Sequence, residues 1–339
     1  MECSYSHLTF YKNYKISKKF VLLIKYIIVL IGGFLMYIVG KSKIDKGQLV
    51  SKSKICKYIE LQLFNELENR DYGDIDDLFE IVTTTDNMDV IVLHAPLLKS
   101  DDLCLELIGD DKYKRQLYNT AFLAGELSKF YKHEIKIVIH FGLEFETLFK
   151  MPFLENRIRN YFYKFLSEYP LITFCIENVV PCKKSNDSII FRNGCFFDNI
   201  RLINYYRELL KTDRIGSVLD TCHMTSTLRT TELIFGNLYP GFIINLNEDR
   251  FFEENKNVVK LIHLSDVDSL GYIESEHGIL FRDNKIDRME YFINLYKKFG
   301  YDCDITIEIQ ESDYIKNDNF RDNYRKLSLL LNKKHIDFL

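Results

Sequence analysis

Eight histidines occur in the chain, and five of them fall where apolar runs end. His94 is in DVIVLHA, His140 in IKIVIHF and His263 in VVKLIHLS; His223 directly follows GSVLDTC, and His277 lies beyond the seventh run. The other three, His7, His133 and His335, occupy terminal or helical stretches. Carboxylates keep the same company: Glu177 in LITFCIEN, Asp220 in GSVLDTC and Glu308 in DITIEIQ. Neutral imidazoles mixed with carboxylates are a ligand set for borderline divalent cations such as Zn²⁺, Mn²⁺ or Co²⁺. A buried carboxylate costs several kcal/mol unless it is paired or metal-bound. Glu177 and Glu308 sit among Ile, Phe and Val, and no basic residue ends any of these runs. A metal is therefore the expected partner, one to three ions in all, drawn from Glu177, Asp220, His263, Glu308, His94, His140, His223 and His277.

Side chains so far apart in sequence need a scaffold that gathers them. Eight apolar runs supply it: 36–40, 58–64, 89–95, 135–141, 171–178, 216–222, 258–265 and 304–310. Most are continuously apolar, as parallel strands covered on both faces are. Helical patterns lie between them, over 110–133, 144–166, 199–211, 287–299 and 322–332. Strand–helix alternation repeated about eight times predicts an α/β fold, a (β/α)8 barrel, whose C-terminal strand ends converge on one face. Residues 41–57 read as a short Lys- and Ser-rich connector, 181–196 as an inserted hairpin or loop, and 236–257 as a long loop containing a short helix.

The 339 residues are 47% hydrophobic and 28% charged, which excludes wholesale disorder. With 5 Pro and 15 Gly there is little room for flexible linkers. A net charge of −4 excludes a globally basic nucleic-acid protein, though not a local basic groove. Cys3, Cys56, Cys104, Cys175, Cys182, Cys195, Cys222 and Cys303 form no CxxC pair and read as the reduced, buried thiols of a cytoplasmic protein. Residues 20–39 (FVLLIKYIIVLIGGFLMYIV) follow four lysines and are about as long as a bilayer is thick. One reading is a membrane anchor with a cytoplasmic N-terminus. Another is a misassigned start: Gly32-Gly33-Phe34-Leu35 is what a translated ribosome-binding site spells ahead of Met36. A buried helix is a third, and no small-x-small site follows that would mark a cleaved signal peptide. The expected division is an apolar N-terminal extension, 1–35, and a barrel, 36–339.

The motifs HAP (94–96), HFG (140–142), IEN (176–178), LDTCH (219–223), HLSD (263–266), EHG (276–278) and IEI (307–309) carry a resemblance. In order and spacing the chain resembles the xylose-isomerase-like TIM barrel superfamily, which groups sugar isomerases and epimerases with endonuclease IV, over about residues 36–335. The resemblance implies that Glu177, Asp220, His263 and Glu308 hold a central metal, and that Glu177 and Glu308 exchange protons with the substrate. His223 would polarise the substrate carbonyl, and Glu60, Gln62, Asn178, Asp266 and Arg282 would bind substrate. In endonuclease IV proteins His94, His140, His223 and His277 match ligands of two further zinc ions. One more ligand there, an Asp two positions before His277, is Ser275 in this chain. The turns after His140 and Glu177-Asn178 also depart from the endonuclease pattern. The expected function is thus a metal-dependent sugar or sugar-phosphate isomerase or epimerase. The alternative is a zinc-dependent abasic-site DNA endonuclease, with Lys183, Lys184 and Arg192 near the phosphates and Lys99 isolated beside Asp101 and Asp102. A non-enzymatic scaffold is opposed by the intact carboxylates. Oligomeric state is left open, a homo-oligomer being compatible with the sequence.

Overall fold

A computed structural model describes residues 36–97, 103–179, 182–185, 188–191, 196–235, 247–267, 277–281 and 286–336. The extension 1–35, Lys99, Arg192, Ser275 and Arg282 lie outside the described residues. Eight strands close into a parallel barrel: β1 (Ile38–Lys43), β2 (Tyr58–Gln62), β3 (Asp89–His94), β4 (Ile135–His140), β5 (Ile172–Glu177), β8 (Ile215–Asp220), β9 (Val259–Leu264) and β12 (Asp304–Ile307). β12 pairs with β1 and closes the ring. Every residue of β4, β5 and β8 is buried, as expected for strands covered on both faces. The expected (β/α)8 barrel is the observed fold.

Helices α1 (Lys46–Ser53), α2 (Asp76–Thr83), α3 (Asp111–Tyr131), α4 (Phe145–Phe149), α5 (Pro152–Glu168), α6 (Phe196–Leu210), α7 (Thr221–Phe235), α8 (Glu248–Asn255), α9 (Asp287–Lys298) and α10 (Asp318–Ile336) join the strands. Two further ladders stand outside the barrel. β6 (Cys182–Ser185) and β7 (Ser188–Phe191) form the hairpin expected after β5. The short pair β10 (Asp266–Val267) and β11 (His277–Gly278) places His277 beside Val267.

Three readings of the elements change. The connector 41–57 contains the last three residues of β1 and the whole of α1, whose Asp45 cap accepts from the Gln48 amide at 2.8 Å. The helix expected over 144–166 is two helices. Pro152 has no N–H and disfavours a helical residue before it, and Met151 sits at φ −123°, ψ 67°. The third change is α2 and α7, which had not been foreseen. No described helix is long and apolar enough to cross a membrane. Cys56, Cys175, Cys222 and Cys303 are buried, and Cys104 is half-buried.

Candidate metal centre

The alternation of side chains along each strand decides what meets at the barrel axis. Val39, Val92, Val138, Cys175, Val218 and Leu261 belong to one small buried cluster, separate from the main core. Two residues further along the same strands, hence on the same face, come Lys41, His94, His140, Glu177, Asp220 and His263. Strand register then sets neighbours side by side: Lys41 with Glu60, His140 with Glu177, Asp220 with His263, and Thr306 with His263. Glu308 follows β12 directly, its amide donating to the Leu264 carbonyl at 3.1 Å. A one-residue slip in any strand would turn its polar residue outward.

Glu177 is the hub, and four imidazoles surround it. Its Oε2 lies 3.1 Å from His94 Nε2 and 3.4 Å from His140 Nε2. Its Oε1 lies 3.3 Å from His223 Nδ1 and 3.4 Å from His263 Nδ1. Partners on the far side of each ring set the tautomers. His263 donates Nε2–H to Glu60 Oε2 at 3.0 Å, and Thr306 Oγ1 donates to the same oxygen at 2.8 Å. His263 Nδ1 is left facing Glu308 Oε2 at 2.8 Å. His94 donates Nδ1–H to the Ala95 carbonyl at 2.9 Å, so its Nε2 lone pair faces Glu177. His223 directs Nδ1 at the Asn178 carbonyl, 2.8 Å away. A carboxylate behind an imidazole, as Glu60 is behind His263, is the usual device for aiming a metal ligand.

The charge at this locus does not balance. Glu60, Glu177, Asp220 and Glu308 bring together four carboxylates, the first three almost fully buried. Among the described residues the ammonium beside them is that of Lys41, 2.6 Å from Glu308 Oε1 and 3.2 Å from Glu60 Oε1. Burial opposes ionisation, but His263 and Lys41 hold Glu60 down at about 2. Against the same burial, His263 holds Glu177 well below the usual carboxylate range, and His277 and Lys41 do so for Glu308. His263 is raised well above its ordinary value against burial, chiefly by Glu60 and Glu177. His223 is carried up to about 9, with burial opposing and Asp220 and Glu177 driving. Burial and the Lys41 charge push His94 down. In the chain alone, then, this locus draws in protons to offset its carboxylates.

A divalent cation meets the same demand, and the donors fit one. Ligand atoms of Glu177, Asp220, His263 and Glu308 lie within 4.8 Å of one another. Asp220 Oδ2, His263 Nδ1 and Glu308 Oε2 are buried with no hydrogen-bond partner among the described residues. Buried acceptors left this way are costly unless a cation joins them. Three carboxylate oxygens and an imidazole nitrogen suit zinc, manganese or cobalt. His94, His140 and Glu177 form a second such group, and Asp220, Cys222 and His277 a third.

The structure brings together all eight residues expected at the metal site. His277 reaches Glu308 Oε1 at 3.4 Å and Asp220 Oδ2 at 3.9 Å. Other expectations are corrected. A strand does end on basic residues: β1 runs on through Lys41 to Lys43, hidden because Lys41-Ser42-Lys43 reads as a polar connector. Glu60 is fully buried, with His263, Thr306 and Lys41 as its partners. Asn178 clamps two strand ends, its Oδ1 accepting from the Asp220 amide at 2.8 Å and its Nδ2 donating to the Asp220 carbonyl at 3.1 Å. Asp266 caps its own strand at the Val267 amide and lines a separate shallow pocket with Thr225, Arg229 and Arg288. Gln62 does line the pocket beside Glu308, although its amide nitrogen is bonded to the Leu63 and Ala95 carbonyls at 2.9 and 3.2 Å. Lys41, Thr306 and Cys222 were missed. The alternation of Val39 and Lys41 with the strand ends was the available signal for the first.

No family model and no curated protein matches the sequence. Solved structures do match by shape. A xylose isomerase domain protein from Alicyclobacillus acidocaldarius is 14% identical over 88% of this chain and 98% of its own, with a TM-score of 0.54. The IOLI protein, solved with a bound zinc atom, is 14% identical over 88% of this chain and 99% of its own, at TM-score 0.50. D-allulose 3-epimerase from Methylomonas sp., in complex with D-allulose, is 10% identical over 89% of this chain and 98% of its own, at 0.51. The chain shares the (β/α)8 barrel fold of these proteins.

Proposed function

We propose that the chain is a divalent-metal-dependent enzyme that isomerises or epimerises a sugar or sugar phosphate, and that Glu177, Asp220, His263 and Glu308 hold its metal. The observation that carries this reading is the presence of two carboxylates, Glu177 and Glu308, in one donor set whose atoms lie within 4.8 Å. Moving a hydrogen next to a carbonyl takes two proton carriers around one short stretch of substrate. A bound divalent ion supplies a Lewis acid for the carbonyl and its neighbouring hydroxyl. Glu308 lies on the wall of a pocket of about 240 Å³ and is the carboxylate that takes the substrate proton. Lys41, at 2.6 Å, fixes its orientation. Glu177, deeper and ionised among four imidazoles, returns to the substrate a proton that it first takes from that imidazole cluster. The Nδ1 proton of His223 is spent on the Asn178 carbonyl, which leaves Nε2 to meet a substrate oxygen.

The test is solvent exchange. The purified chain is loaded with Mn²⁺, Co²⁺ or Zn²⁺ and incubated in D₂O with a panel of ketoses and ketose phosphates. The expected result is deuterium entering at the carbon beside the carbonyl, with exchange lost in Glu308→Gln. If no panel member exchanges under any of the three metals, the reading is wrong.

A second reading has its own observation. His94 and His140 both approach Glu177 Oε2, so two donor groups share Glu177. Paired ions held this way clamp a phosphodiester for hydrolysis, with DNA as the partner. Three zinc ions per chain and nicking of a duplex with one abasic site support that reading. Close to one exchangeable Mn²⁺ or Co²⁺ without nicking supports the first.

A further inference from the structure

The pocket beside Glu308 contains a charge that the metal centre does not use. Its wall includes Glu308 and His277 from the centre, Lys41 and Lys43 from β1, Lys52 from α1, and Phe320 from α10. Lys41 is committed to Glu308 and Glu60, but Lys52 is not committed to any carboxylate. It is only 3% exposed, and its Nζ stands 3.8 Å above the Phe320 ring. Among the described residues it makes no ion pair. The nearby Glu311 carboxylate accepts from the backbone amides of Asn319 and Phe320 instead. Burial lowers the Lys52 pKa to about 8, with Cys56 and Glu311 opposing. Lys43, at the exposed side, stands 4.4 Å over Phe64 and is likewise without an ion pair among the described residues.

A buried ammonium is costly without a counter-charge, and an aromatic ring offsets only part of that cost. An ammonium that lines a pocket can take its counter-charge from a ligand. The volume, about 240 Å³, is below that of pockets for drug-sized ligands and suits a short carbon chain. The side-chain amides of Gln48, Gln62 and Gln310 on the same wall suit hydroxyl groups.

We propose that this pocket takes a short polyol ending in an anionic group, a phosphate monoester or a carboxylate, with the Lys52 ammonium as its buried counter-charge and Lys43 at its rim. This rests on the isomerase reading for which end of the substrate reacts; the binding of the anion does not depend on it.

The test needs no turnover. The full chain is treated with chelator and titrated calorimetrically with inorganic phosphate, glycerol 3-phosphate, glycerate and glycerol. The two phosphates or glycerate are expected to bind and glycerol is not; phosphate alone or glycerate alone identifies the anion. In Lys52→Met the affinity falls roughly tenfold or more, as for loss of a charged hydrogen bond. Lys52→Arg recovers most of it. Lys57→Met, which removes an exposed lysine paired to Asp89 at 3.0 Å, changes nothing. Equal affinity in the wild type and Lys52→Met overturns the proposal, as does binding that vanishes on chelation, which would put the anion on the metal. If Lys52→Met does not fold, acetylation read by peptide mass takes its place. Phosphate then slows labelling of Lys52 relative to Lys57, and equal labelling with and without phosphate refutes the proposal. Exchange in D₂O can fail while the anion still binds, so the two readings fall separately.

Discussion

Glu60 is fully buried, yet its replacement should loosen the metal. Its Oε2 accepts the His263 Nε2 proton at 3.0 Å and the Thr306 hydroxyl at 2.8 Å. Oε1 faces Lys41 at 3.2 Å. Glu60→Gln keeps the shape and a single acceptor but removes the charge behind the imidazole. It also frees the His263 ring to turn or to adopt the other tautomer. Loss of such an outer partner typically costs about 10- to 100-fold in metal affinity, or roughly 1.4 to 2.7 kcal/mol. Lys41 keeps Glu308 at 2.6 Å, so the pocket wall is preserved and the loss should fall on affinity more than on the site's shape. The assay is competition for Zn²⁺ or Mn²⁺ against a chromophoric chelator, with circular dichroism confirming the fold. Thr306→Val, which removes a donor but no charge, should show a smaller loss in the same direction. Wild-type affinity in a folded Glu60→Gln variant would falsify the assignment of His263 as a ligand aimed by Glu60.

Three other outcomes follow from the same geometry. Glu177→Gln and Glu308→Gln should each abolish turnover; a near-normal rate in either, measured by deuterium exchange, removes that residue from the catalytic assignment. The chelated chain should lose thermal stability as pH rises from about 6.5 to about 9. The His223 pKa is raised from 6.5 to about 9 on folding, so its contribution is full below 6.5 and lost through 9, and His263 shifts the same way. The Glu60 contribution runs oppositely, present above 4.5 and lost as pH falls toward 2. Bound metal replaces the imidazole protons, so metal affinity should rise over the same alkaline window; parallel melting curves with and without metal refute this. Lys52→Met should stabilise the metal-free, anion-free protein at pH 7. A pKa depressed from 10.5 to about 8 is a burial cost on the order of 3 kcal/mol. The unfolded chain binds more protons between those values, so the Lys52 cost, and with it the variant's advantage over wild type, should shrink from pH 8 to 10.5. A variant no more stable than wild type at pH 7 contradicts the cost assigned to Lys52.

The barrel was legible because β4, β5 and β8 are mostly apolar and buried on both faces, a pattern that parallel strands share with few other elements. The metal donors were legible for the complementary reason. A single imidazole or acid at the end of an apolar run stands out, and parity with the apolar residue two positions earlier fixes its direction. Lys41 escaped because a strand ending Lys-Ser-Lys has the composition of a loop; only pairing with β2, Lys41 against Glu60 and Lys43 against Gln62, makes it a strand. The role of Glu60 escaped for a different reason. It does face inward, but whether an inward carboxylate meets substrate or another side chain depends on what the strands across the barrel present. Here that is His263, 203 positions away. Asn178 is the same case: its side chain spans to the Asp220 backbone, a contact set by the register of β5 and β8. Arg282 and the residues around Ser275 lie outside the described structure.

The two parts of the site have opposite electrical needs, and this gives the substrate a direction. Four carboxylates, two of them paired to Lys41, call for a cation at the barrel axis. Lys52 and Lys43, each over an aromatic ring and neither in an ion pair among the described residues, call for an anion in the adjoining pocket. A short polyol with a carbonyl at one end and a phosphate or carboxylate at the other satisfies both in one orientation. Reversed, its anion would lie among the carboxylates and its neutral end against a buried ammonium, and both contacts would be unfavourable. A phosphodiester bound for hydrolysis must instead put its phosphate on the metal, which leaves Lys52 to some other group. Inorganic phosphate should therefore compete with a sugar phosphate in the chelated wild type and lose that effect in Lys52→Met. Under the nuclease reading its inhibition should follow metal content and be indifferent to Lys52.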